Sequence, residues 1–346
     1  MWWFGECRRH FHRLVGMRAR MIPVFIGGTG RSGTTILKRS LAASPEFVGF
    51  RNEMRVIVDP DGVLDLWNSL DEGWSPYKGD TSLKRFSSLL QSARSTNLGK
   101  RALSRALSYV RISPPRYLAL GLEDEVQNGA VPRAFEGVIN ELSLGNSEGT
   151  WIGSVAGQLP STITETRRWP KATSGPVLAS AVRSLFEALP GASHARGFVE
   201  DTPFNILYAR ELFQLFPDMY LIHIYRDPRD VIASHLEKSW GGKDVARTAQ
   251  RVRAILDRWA EIRDKLPQGR VFEMSLEAFA ASPWATLGPF LKTLGIEQEN
   301  STARISVEKA NIGRWRRKLS TEDISVIEKI FPDLYGGRDD VVNNNK

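Results

Sequence analysis

The sequence predicts an α/β fold: a central, mostly parallel β-sheet flanked by helices on both faces, with a helical insertion. Three observations predict it. Short apolar runs alternate with longer helix-like segments, the order that buries parallel strands between two helical layers. Two of these runs end in a turn that opens a helix, Val24–Ile26 into a glycine-rich stretch and Tyr220–Tyr225 into Arg226-Asp227-Pro228. Between residues 59 and 196 the alternation weakens, and Pro114, Pro115, Pro132, Pro160 and Pro170 break up helix-like pieces such as Leu83–Ala93 and Val177–Ala188.

Residues 1–21 precede the first strand and carry five arginines against Glu6, with Trp2, Trp3, Phe4 and Phe11 among them. They read as a basic aromatic arm, with a weak membrane-surface contact as the sharper alternative. Strand Val24–Ile26 leads through the glycine-rich turn into a helix over Thr34–Ala43. After the insertion come strand Gly197–Val199, helix Asn205–Phe216, strand Tyr220–Tyr225 and helices Pro228–Lys238 and Val245–Lys265. Strand Arg270–Phe272 and helices Pro283–Leu294 and Thr321–Phe331 complete the pattern. The expected organisation is an arm (1–21), one domain (22–336) whose variable insertion (59–196) faces the acceptor, and a disordered tail (337–346).

Composition narrows the function classes. The net charge of +8 suits an anionic ligand, nucleic acid or a membrane surface. Nucleic acid is not expected, because no recognition module or basic stripe interleaved with aromatics appears outside 1–21. Cys7 is the single cysteine, so there is no internal disulfide and no cysteine-ligated metal. The five histidines are scattered and no metal is expected. No apolar run would span a bilayer, and the expected location is the cytoplasm, with peripheral membrane contact through the arm.

The stretch Ile22–Leu37, IPVFIGGTGRSGTTIL, carries the first site. Strand, glycine-rich turn and helix form a phosphate cradle: glycines let backbone N–H groups converge on an anion, and the helix N-terminus adds positive potential. Gly28, Gly33 and Thr35 fit the frame of a nucleotide-triphosphatase P-loop, but Thr34 stands where its lysine belongs. With Arg31 inside the loop instead, the ligand carries phosphate without being an ordinary triphosphate. A kinase or GTPase with a variant loop is the competing reading, and it lacks its lysine.

The second site lies in MYLIHIYRDPRDVIASHLEK, residues 219–238. Asp227 is a good N-cap and Pro228 suits the first helical turn, so Arg226 falls at a strand's carboxyl end. Asp230, Ser234 and Lys238 follow on one helical face. An arginine fork beside a serine hydroxyl makes a second phosphate site.

With both motifs in order, the chain resembles the sulfotransferases that use 3′-phosphoadenosine 5′-phosphosulfate (PAPS), of the carbohydrate and protein-tyrosine kind, which have a P-loop NTPase-like fold. The resemblance covers roughly residues 22–55 and 197–335. It implies that Gly28, Gly30, Arg31, Ser32, Gly33, Thr34 and Thr35 hold the 5′-phosphosulfate and that Arg226 and Ser234 hold the 3′-phosphate. FEMSLEAF (272–279) looks like the family's strand-to-helix segment. NIGRWRRKLS (311–320) looks like its cofactor-covering loop, in which Gly313, Arg314 and Trp315 close over the nucleotide. Arg316 and Arg317 read as a solvated edge, and Ser320 with Asp323 as a helix-capping pair.

The implied reaction moves the sulfuryl group to an acceptor hydroxyl in line, with no metal, and leaves 3′-phosphoadenosine 5′-phosphate (PAP). Arg31 and the loop donors would stabilise the growing charge. Lys38 reads either as a contributor or as a solvated lysine. In protein-tyrosine and some carbohydrate sulfotransferases, a glutamate followed two residues later by arginine is the proposed base and acceptor contact; Glu53 and Arg55 match it. A carbohydrate hydroxyl is the expected acceptor and peptidyl tyrosine the alternative. Many relatives carry lysine where Asp201 stands in Glu200-Asp201-Thr202-Pro203. The missing cation must come from Arg31 or Lys38, and a non-catalytic PAP-binding relative is a further reading.

Overall fold

A computed structural model describes residues 20–94, 121–126, 129–151, 162–238, 241–296 and 310–335. Most of the arm, the tail, and Pro114, Pro115 and Pro160 lie outside the described residues.

The chain runs β1 (Ile22–Gly27), α1 (Thr34–Ala42), β2 (Phe47–Val48), α2 (Val63–Leu70), α3 (Pro76–Arg94) and α4 (Ala130–Leu142). It continues through β3 (Gly145–Glu148), β4 (Thr162–Glu165), α5 (Lys171–Glu187), β5 (Gly197–Glu200), α6 (Ala209–Leu215), β6 (Tyr220–Tyr225) and α7 (Pro228–Leu236). The last described elements are α8 (Val245–Arg263), β7 (Val271–Ser275), α9 (Leu276–Ala281), α10 (Pro283–Thr293), α11 (Trp315–Lys318), α12 (Thr321–Ile330) and α13 (Pro332–Tyr335).

Five strands form the main sheet in the order β2-β5-β1-β6-β7. All its pairings are parallel, with Val24 of β1 opposite Val199 of β5 and Tyr220 of β6. The α/β fold class stands on this strand order. β1 is central and buried on both faces, which is why it reads as a continuous apolar run. Its alternate side chains feed two cores. Phe25 joins Phe198, Trp67, Phe86, Phe135 and Phe186, so helices of the 59–196 region cover one face. The Phe186 and Phe198 rings stack at 4.0 Å. Val24 and Ile26 join Leu37, Ile222, Phe279 and Phe290 on the other, beneath α1, α9 and α10.

Asn205–Phe216 is not one helix: residues 203–208 are 3₁₀ and only Ala209–Leu215 is α-helical. A tertiary tie overrides the helical pattern. Asn205 Nδ2 donates to Ile26 O at 3.0 Å, and a Cβ at Gly27 would lie 2.6 Å from Ile206 Cγ2, so the turn is clamped onto the end of β1. Pro132 and Pro170 begin helices rather than separating them. Pro132 is the third residue of α4 and Pro170 the N-cap of α5, where a missing N–H costs no intrahelical bond. The two-residue β2 and the exposed antiparallel β3–β4 hairpin had no sequence signal. β7 runs beyond Phe272 to Ser275, whose side chain caps α9 by accepting from Ala278 N. Two expected caps are present: Asp227 accepts from Arg229 N, and Ser320 with Asp323 forms a reciprocal capping box.

Among the described residues, no helix is long and apolar enough to cross a membrane.

Candidate active site

The carboxyl ends of β1, β5 and β6 open onto one cavity of about 810 Å³. Beyond Gly27 the chain turns through Gly30 (φ 75°), Arg31 (φ 58°) and Gly33 (φ 110°) before α1 begins. A left-handed arginine is strained, and such strain persists where the surroundings over-determine it. No side chain caps α1, so its first-turn N–H groups remain for a ligand at the cavity wall, where Thr34 and Thr35 lie. Gly28 and Ser32 are structural neighbours beneath the loop: a Cβ at Gly28 would lie 2.2 Å from the buried Ser32 Oγ.

Three guanidinium groups meet on the β6 side. Arg31 Nε donates to Ser234 Oγ at 3.0 Å, and Arg314 Nη1 donates to the same oxygen at 3.1 Å. Arg226 donates to Asn311 O at 2.6 Å and to Arg31 O at 3.4 Å. Burial, then the neighbouring Arg314 and Arg226 cations, lower the Arg31 pKa. The Nε atoms of Arg226 and Arg314 are buried without a protein acceptor. Crowded cations with spare donors are the electrostatic signature of an anion site.

Asp230 holds the covering segment in place. Its buried carboxylate accepts Gly313 N at 2.7 Å and Trp315 N at 3.0 Å, and Arg226 Nη2 lies 3.2 Å away. Trp315 stacks under Arg229 at 3.9 Å, on the side of α7, and does not line the cavity. Arg314 does line it.

On the β5 side the cavity is walled by Glu53, Arg55, Thr202, Pro203 and Phe204. Arg55 Nη1 lies 3.4 Å from Glu53 and its Nε donates to Asp59 at 2.9 Å. Burial, then the Asp201 charge, raise the Glu53 pKa to about 7, against the opposing pull of Arg55. His235, also at the wall, is lowered to about 4 by burial and by Arg251 and Arg31. Glu53 is therefore the group with a proton affinity near neutrality.

Lys38 is not a solvated surface lysine. It is buried, its Nζ lies 2.6 Å from Asp201 Oδ1, and it does not line the cavity. Lys38→Met should leave Asp201 as an uncompensated buried charge and cost about 3–5 kcal/mol of stability, read by urea unfolding. A loss below about 1 kcal/mol would show the pair to be dispensable.

Residues 148–300 match the model of the Sulfotransferase family. Over those residues the chain resembles that family. The matched segment includes the Arg226–Ser234 motif; the glycine-rich loop and Glu53 lie before it. No curated protein matches the sequence. Among solved sulfotransferase structures, STF9 from Mycobacterium avium is 14% identical, with 93% of this chain and 78% of that one covered and a TM-score of 0.43. The sulfotransferase domain of the Synechococcus PCC 7002 olefin synthase is 15% identical, covers 91% and 97%, and scores 0.41. The sulfotransferase from Alicyclobacillus acidocaldarius is 14% identical, covers 91% and 96%, and scores 0.39.

Phe204, His235 and Asn311 also stand at the cavity wall, and the sequence motifs do not single them out as site residues. Each borders a singled-out motif: Phe204 follows Pro203, His235 follows Ser234, and Asn311 opens the covering segment. Adjacency to those motifs was the available signal.

Proposed function

We propose that this protein transfers the sulfuryl group of PAPS to an acceptor hydroxyl, with the loop 28–35 holding the 5′-phosphosulfate and Arg226, Ser234 and Arg314 the 3′-phosphate. The observation that carries the reading is the convergence of Arg31 and Arg314 on Ser234, beside Arg226, across one cavity from Glu53. Two anion sites and one group of near-neutral proton affinity are what this reaction needs.

The acceptor oxygen attacks sulfur as its bond to the 5′-phosphate oxygen breaks, and PAP departs with the electron pair. Glu53 takes the acceptor proton; His235, lowered to about 4, is too weak a base to compete at neutral pH. Arg31 and the uncapped N-terminus of α1 supply positive charge to the leaving phosphate. Lys38, committed to Asp201, is not counted among these cations. No metal enters the scheme. The acceptor is a carbohydrate hydroxyl, and the exposed Phe204 ring beside Glu53 offers a face for a sugar.

Calorimetric titration tests the donor reading. PAP should bind about 100-fold or more tighter than adenosine 5′-monophosphate, which lacks the 3′-phosphate, because two or three charge-assisted bonds are at stake. Equal affinities, or no PAP binding by folded protein, would sink it.

A further inference from the structure

The segment 51–55 that carries Glu53 has no regular secondary structure, yet its backbone is tied from several sides. Arg51 N donates to Glu125 Oε2 at 2.6 Å, and Arg51 O accepts from Lys38 Nζ at 3.1 Å. On the far side of Glu53, Met54 N donates to Glu200 Oε1 at 3.1 Å and Arg55 N donates to Thr202 Oγ1 at 3.1 Å. Thr202 in turn donates to Glu200 through its hydroxyl at 2.6 Å and its N–H at 3.0 Å. Asn205 Nδ2 adds a bond to Glu200 Oε2 at 2.6 Å. Arg55 sits at φ 55°, a conformation unfavourable to a residue with a Cβ and one that outside ties must maintain.

We propose that Glu200 and Thr202 are positioning residues for Glu53: through the N–H groups of Met54 and Arg55 they anchor the segment to the end of β5 and keep the Glu53 carboxyl at the cavity wall. The functional meaning rests on the reading of Glu53 as the base. Glu200 is not itself a second base. It is buried, does not line the cavity, and accepts four hydrogen bonds from the protein. Its role is to satisfy backbone donors in a segment that has no strand or helix to do so.

The charged groups that face Glu53 are Arg55 on its own segment, Asp201 and Glu200 at the end of β5, Lys38 on α1 and Arg31 in the loop. Burial is the first cause of its raised pKa. Freeing Met54 N or Arg55 N lets the segment relax into water, and Glu53 then moves toward an ordinary glutamate.

Carboxyl 13C NMR titration reads this without any acceptor, with the Glu53 resonance assigned by its loss in Glu53→Gln. Thr202→Val is neutral and nearly isosteric, so it removes the hydroxyl without deleting an ionisable group near Glu53. It should lower the Glu53 midpoint from about 7 by about one unit or more. Thr202→Ser, which keeps the hydroxyl, should titrate as wild type. Thr202→Ala serves as the second neutral variant if Thr202→Val does not fold. Unmoved midpoints in the neutral variants, or a wild-type midpoint near 4.5, overturn the proposal. A shift in Glu200→Gln alone also overturns it, because charge and not anchoring would then act on Glu53. PAP titration of the same samples separates the two readings: wild type that fails to bind PAP sinks the donor assignment, whereas a hydroxyl-dependent Glu53 midpoint still supports the anchoring.

Discussion

Arg226→Ala weakens PAP binding by about 10²–10³-fold, the value of losing a forked guanidinium from a phosphate. Arg226 follows the last residue of β6 and is buried, with its Nε free of any protein acceptor. No rotation of a neighbouring side chain replaces a cation fixed by its backbone in this way. Arg31 and Arg314 remain on Ser234 in the variant, so some anion affinity persists and the site is weakened rather than erased. Arg226→Lys separates charge from geometry. It keeps the cation but loses the planar fork, and should fall between wild type and alanine. Asp230 still accepts Gly313 N and Trp315 N without Arg226, but the bond to Asn311 O and the partner of buried Asp230 are lost, so stability is measured beside binding. Thermal melting with and without PAP separates the two effects: the unliganded melt falls because the buried Asp230 loses its partner, and the rise that PAP adds shrinks. Wild-type affinity in a folded Arg226→Ala would return the site to an unknown ligand.

Glu53→Gln lowers sulfuryl transfer by about 10²–10⁴-fold with PAP affinity unchanged, the span expected for removing a general base. The amide matches the carboxylate in shape and cannot take the acceptor proton. On the proposed reading, Glu53 takes the acceptor proton only when ionised. With its pKa near 7, kcat/KM rises with pH through neutrality and levels off above it. Stability carries the opposite sign. The folded-state value is raised above the ordinary glutamate range, so the native state holds the proton longer than the unfolded chain does. Between about pH 4.5 and 7 stability therefore falls as pH rises, and Glu53→Gln removes that part of the slope. A wild-type pH–rate profile flat across neutrality, or full activity in Glu53→Gln, would reject Glu53 as the base.

The half of this site built by the glycine-rich loop and Arg226 was legible in the chain because it is local. Strand, turn and helix follow one another within Ile22–Ala42 and again within Tyr220–Leu236. Glycine tolerance of positive φ, the Asp227 cap and Pro228 at the helix start are each properties of neighbouring residues. A two-residue edge strand and an exposed polar hairpin left no such pattern, and the 3₁₀ turn at 203–208 read as helix because its cause, the contact with Gly27 and Ile26, is remote in sequence.

A parallel α/β sheet with two strand-end motifs follows from the residue order alone, since period, caps and glycine-rich turns act over a few residues. The surroundings of Glu53 and Lys38 are set by long-range packing. Lys38 meets Asp201 across 163 positions and Met54 meets Glu200 across 146, distances over which pattern carries no information. Both outcomes depend on burial. In low dielectric a lysine is committed to the carboxylate beside it, and a glutamate holds its proton up to neutral pH.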